Sequence, residues 1–136
     1  QTNKVKFAIG LFDYIHSVDS EKLAKKIFDE QKKQNKKVKI FLQVNIGNEI
    51  QKFGVDKLSV GDLYYFCKSL ELNVVGLMCI PPEGEPPTKY FKEMNDLNKN
   101  LNLDCLSMGM SSDYLEAVKN NSTHLRIGSN IFGSRN

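Results

Sequence analysis

Two short stretches near the C-terminus carry the residue types that hold phosphate. In Ser107-Met108-Gly109-Met110-Ser111-Ser112 and in Gly128-Ser129-Asn130-Ile131-Phe132-Gly133, glycines let the backbone approach a ligand and serines supply hydroxyls. The first stretch leads into a helical pattern, whose opening amides add N–H donors. Each stretch alone has an ordinary reading, because Gly and Ser also populate turns. Placed after two successive strands, they could direct several donors at one dianion. Arg126 stands inside a strand pattern beside the second glycine stretch, and Arg135 is the only other arginine. A guanidinium in the interior needs an acceptor, since an unpaired buried charge is prohibitively costly. That acceptor is either a carboxylate of the fold or a ligand atom such as a ring nitrogen.

The remaining candidates have bland readings. His16 and His124 show no third partner and read as packing or strand-end residues. Asn45, at the end of a strand pattern, either donates to a ligand or closes a turn. Lys4 and Lys52 read as loop lysines. Cys67, Cys79 and Cys105 have no metal-ligand spacing, and an odd number cannot close a disulfide framework, so reduced thiols and no metal are expected. The net charge of +3 does not point to nucleic acid. Lys32, Lys33, Lys36 and Lys37 sit at the end of a helical pattern, where cations complement the dipole, and the Lys-rich stretches hold few rings. No apolar run approaches the roughly 20 residues needed to span a bilayer, and the first residues do not resemble a signal peptide. A soluble, cytoplasmic protein is expected.

The elements that must position these residues alternate. Residues 14–18 read as a strand, and Ser20 caps a helix with Leu23, Ala24, Ile27 and Phe28 on one face. A strand over 38–45 is followed by a polar loop through Gly47 and Gly54. Ser59 with Asp62 resembles a capping box ahead of Leu63, Phe66, Cys67 and Leu70. The run 74–80 is apolar on both faces, as a buried parallel strand must be. Prolines 81, 82, 86 and 87 force a loop, and Tyr90, Phe91, Met94, Leu97 and Leu101 mark another helix. A strand over 103–108, a helix over 112–119 and a strand over 124–127 complete the pattern. Four βα repeats and a final strand imply an α/β fold with parallel strands and right-handed crossovers. An open sheet and a piece of a (β/α)8 barrel both accommodate it, and the chain is short for a whole barrel. The loop-like start Gln1-Thr2-Asn3-Lys4, with no strand before it, favours the piece.

The stretch 106–113, with Val118, Ser122-Thr123 and the run 125–133, is similar to the C-terminal signature of the PLP homeostasis proteins, relatives of the N-terminal barrel of alanine racemase. Further matches are residues 1–4, His16-Ser17-Val18-Asp19, Gln43-Val44-Asn45 with Lys52 and Gly54, and Gly76-Leu77-Met78. The resemblance implies the C-terminal five strands of a fold-type III TIM barrel, with residues 1–136 forming part of a single domain and the N-terminal strands missing. It implies pyridoxal 5′-phosphate (PLP) as cofactor and a non-catalytic carrier or regulator of intracellular PLP and vitamin B6, monomeric at full length, with PLP-dependent apo-enzymes as recipients. Carried over, Ser107, Gly109, Met110 and Ser111 cradle the phosphate with Gly128 and Ser129, and Arg126 faces the pyridine nitrogen. The family's cofactor lysine lies on the first barrel strand, and no position here corresponds to it, so a truncated piece with two open sheet edges is expected. A PLP-dependent amino-acid racemase of the same fold, or a TIM-barrel enzyme acting on a phosphorylated metabolite, are the alternatives.

Overall fold

Val5 and Ile9 are one helical turn apart, and both are buried. They anchor the first element, α1 (Thr2–Leu11), so the polar opening that reads as a loop is helical from Thr2 onward. Then follow β1 (Tyr14–Val18), α2 (Glu21–Gln34), β2 (Lys39–Asn45), the short β3 (Val55–Asp56), α3 (Val60–Ser69), β4 (Asn73–Met78), α4 (Thr88–Asn100), β5 (Cys105–Met110), α5 (Tyr114–Lys119) and β6 (His124–Arg126). This computed structural model describes residues 2–50 and 53–126, without the side chains of Thr2, Asn3 and Arg126. Among the described residues no helix is long and apolar enough to cross a membrane.

Local sequence explains most boundaries. The Ser20 hydroxyl accepts the Leu23 N–H at 3.1 Å, and α2 ends on Asn35 in the left-handed region, φ 49°. The expected capping box at Ser59 does not form: its side chain makes no capping hydrogen bond. The Leu58 N–H goes instead to Asp56 Oδ1 at 2.7 Å, so the turn before the helix is closed one step earlier. Strand β5 runs to Met110, two residues beyond the predicted end, so Gly109 and Met110 belong to the strand and not to the loop after it.

The strands lie in the order β1-β2-β4-β5-β6, all parallel, with β3 paired to the end of β2. One face packs on the helices. Ile40, Leu42, Val44, Leu77, Leu106 and Met108 meet Ile9, Ala24, Ile27, Leu63, Phe91 and Met94 in the main core. The opposite face carries Tyr14, His16, Phe41, Ser107 and His124. A flat sheet would hold β1 and β6 about 19 Å apart, four strand spacings. Yet the Tyr14 and His124 ring centroids are 5.3 Å apart. The sheet is therefore curled, and its concave face is lined by these rings.

Two contacts fix the middle of the sheet. Gly76 packs directly on the Cys105 backbone, leaving no room for a Cβ. Asn98 of α4, 5% exposed, reaches between β4 and β5: its Oδ1 accepts the Leu77 N–H at 3.0 Å, and its Nδ2 donates to Leu103 O and Cys105 O at 3.1 and 2.8 Å. Asn98→Ala strands these backbone groups in the interior. Urea unfolding is expected to show a loss of about 3 kcal/mol, whereas a loss within about 0.5 kcal/mol, the range of a surface substitution, would contradict this role.

Candidate functional site

The floor of the concave face is aromatic. Phe41 is fully buried there, with His16 stacked on it at 4.4 Å and 23° and His124 edge-on at 5.0 Å and 66°. His16 Nδ1 and Ser107 Oγ are 2.8 Å apart, a hydrogen bond across the interior between residues 91 positions apart in the chain. Thus both histidines pack, as expected, and Ser107 is a fully buried wall residue with its hydroxyl engaged.

The rim above this floor is built by β5, α5 and β6. Gly109 has φ +105°, and a Cβ there would crowd Ala117 and Leu125, so both conformation and packing require glycine. The next turn is tight: Asp113 Oδ1 accepts the Met110 N–H at 2.7 Å, and the Asp113 N–H returns to Met110 O at 3.1 Å. Ser111 lies in this turn, half-buried. The Ser122 hydroxyl sits 2.6 Å from Met108 O, and Thr123 Oγ1 accepts the Leu106 N–H at 2.7 Å, which laces β6 to β5. Met110 and Arg126 are register partners, so the backbone brings the Ser111 turn beside the strand arginine. Gly128, Ser129 and Lys52 lie outside the described residues.

Asn45 and Lys4 take plain structural places. Asn45 closes a turn, with Nδ2 donating to Glu49 O at 2.6 Å and Oδ1 accepting the Glu49 N–H at 3.0 Å. Lys4 is on α1, not in a loop, and is exposed. Among the described residues no group of His, Cys, Asp and Glu could hold a metal ion. Sequence reasoning gave no role to Phe41 or Asp113. The alternation Phe41, Gln43, Asn45 against Ile40, Leu42, Val44 was the available signal, because a polar residue within an apolar strand marks the face away from the helices.

A curled parallel sheet with helices on its convex side, and with its serine turn and arginine near the carboxyl ends of neighbouring strands, is a segment of a (β/α) barrel. The family model for the alanine racemase N-terminal domain matches residues 2–136, and the chain belongs to that family. It is 37% identical over 145 residues to the pyridoxal phosphate homeostasis protein of Aquifex aeolicus, covering 99% of this chain and 64% of that protein. The protein of the same name from Vibrio alginolyticus is 34% identical, covering 99% and 62%. The chain thus spans a little under two thirds of the length of these curated relatives. The structure of PipY from Synechococcus elongatus with PLP bound superposes with a TM-score of 0.87 at 31% identity, covering 98% of this chain and 66% of PipY.

Two buried thiols report on the packing of the fold. Burial, and then the charge of Glu21, pushes the Cys67 thiol up to about 11 from its ordinary 9.0. Cys79, just past β4, is raised further by burial and then by the Asp113 carboxylate. A raised folded-state pKa favours the neutral thiol, so this stabilisation is complete below about pH 9 and is lost as pH climbs toward 11 and beyond. Denaturation midpoints are expected to fall over that window, and less steeply in Cys67→Ala. Identical slopes in the two proteins would remove Cys67 as a source.

Proposed function

We propose that this chain supplies the phosphate and ring-nitrogen side of a PLP site, in a protein that holds PLP and regulates its intracellular supply without turning over a substrate. The reading is carried by the register pairing of Met110 with Arg126, which sets the Ser111 turn beside the strand position of the arginine. It is supported by the likeness, over nearly the whole chain, to proteins named for PLP homeostasis and to a structure with PLP bound.

The donor set suits this group. Ser111, Gly128 and Ser129 offer hydroxyl and backbone donors to a phosphate dianion, and Gly109 lets the turn close tightly. Ser107 braces the wall from below through His16, and the Met110 amide serves the turn through Asp113. When bound, PLP supplies a reactive aldehyde on an electron-withdrawing ring. The Arg126 guanidinium would hold the ring nitrogen and, being cationic, would keep it unprotonated, which would discourage carbanion chemistry. The rings of Phe41, His16 and His124 keep water from beneath the pocket. A carrier of this kind acts in the cytoplasm, as a monomer at full length, with PLP-dependent apo-enzymes as recipients.

Calorimetric titration of the chain with PLP tests the cup. Ser111→Ala and Ser129→Ala are each expected to weaken binding by about tenfold, the effect of one hydrogen bond to a charged group, with an unchanged circular dichroism spectrum. Unchanged affinity in both variants would dismantle the proposed cup. Arg126→Glu is expected to shift the absorption of the bound ring, and a wild-type spectrum would remove Arg126 from it.

A further inference from the structure

Asp113 stands at the start of α5, where an aspartate ordinarily turns its carboxylate toward the first amides of the helix. Here it does not: the side chain makes no capping bond, and the backbone has φ −139° and ψ 15°. The carboxylate reaches back instead. Its Oδ1 accepts the Met110 N–H at 2.7 Å, while the Asp113 N–H donates to Met110 O at 3.1 Å. The Asp113 carbonyl accepts the Ala117 N–H at 3.1 Å, which opens α5. One residue thus ties the end of β5 to the start of α5, with Ser111 and Ser112 held between them. Ser111 is half-buried in this turn, and Ser112 is exposed.

A carboxylate is an awkward neighbour for an anion, because like charges brought together oppose binding. Its presence two residues from Ser111 is accounted for by geometry. Just before the turn, Gly109 lies against Ala117 of α5, so the flanks are fixed by packing, and the Asp113 oxygen closes the segment between them. We infer that Asp113 is a positioning residue for the phosphate cup: through its acceptor oxygen, and not through its charge, it holds the Ser111 turn in the shape that a phosphate monoester meets. This assignment rests on the PLP reading and deepens it. A turn fixed before the ligand arrives spares the ordering cost at binding, on the order of tenfold in affinity for each residue whose backbone is already held.

Three substitutions separate acceptor from charge, with PLP binding followed by calorimetry and inorganic phosphate as competitor. Asp113→Asn keeps an oxygen at the same reach without the charge, and it is expected to bind PLP as tightly as wild type or tighter. Asp113→Glu keeps the charge but shifts the acceptor by one methylene, and Asp113→Ala removes both. Each of these two is expected to weaken PLP and inorganic phosphate by the same factor, about tenfold. If Asp113→Glu binds like wild type while Asp113→Asn is weakened, the charge matters and the assignment is overturned. A loss for PLP in Asp113→Ala that inorganic phosphate does not share, or no loss in that variant at all, overturns it too. Either result leaves the PLP reading in place, whereas wild-type protein that binds no PLP would overturn both. Should Asp113→Ala fail to fold, the Asn and Glu variants decide alone, and equal affinities in the two count against Asp113.

Discussion

The hydrogen bond between His16 and Ser107 joins the first strand of the sheet to the fourth in spatial order, passing over two strands that lie between them. Side chains can meet over such a span only if the sheet between them is strongly curled. Parallel strands twist but do not curl this far unless something fills the hollow. Here the filling is aromatic: Phe41 rises from β2 in the middle, and the rings of β1 and β6 close over it. With Phe41 fully enclosed, its burial contributes roughly 2–3 kcal/mol in favour of the curl. The curl in turn brings the carboxyl ends of the strands toward a common point. Every arrangement proposed for the rim depends on that convergence.

Below the rim, small residues and one amide hold β4 and β5 at their spacing. Gly76 lets the β5 backbone come close, and Asn98 adds hydrogen bonds to the backbone of β4 and of the segment entering β5. Its three bonds serve strand groups on both sides, so a helix side chain substitutes for part of a ladder. Beyond them Gly109 brings the chain against Ala117, and Ser122 and Thr123 fasten the start of β6 to β5. The Ser111 turn is therefore set by packing and hydrogen bonds on the protein side, before any ligand contributes.

How much of this the sequence disclosed follows from the range of the interactions. The βα alternation, the apolar β4 and the helix faces of α2 and α4 are local patterns, and all were legible. The polar residues 1–4 hid α1, although Val5 and Ile9 carried its period. The Ser59 box was misread because Ser59 takes a helical rather than an extended conformation, so its hydroxyl makes no capping bond. β5 was cut short because Gly109 looks like a breaker, whereas it is a strand residue with positive φ. Ser107 fell inside the predicted strand, but no local pattern signals its hydrogen bond across the sheet. Its partner His16 stands 91 residues away, and no window of sequence contains both.

The same contrast divides the site itself. The rim is made within one β-turn-α-β unit, where each contact spans few residues and forms with little loop-closure entropy. The floor draws Tyr14, His16, Phe41, Ser107 and His124 from four strands spread over most of the chain, so it is complete only when the whole sheet has assembled. In the proposed site, phosphate recognition would fall to the more autonomous part and ring recognition to the more cooperative one. A ligand that bridges rim and floor links the two, and by mass action it stabilises the curled sheet against unfolding. For a protein proposed to hold PLP, occupancy and fold integrity are then reciprocal: what loosens the floor lowers affinity for the ring first, while the turn around Ser111 keeps its shape.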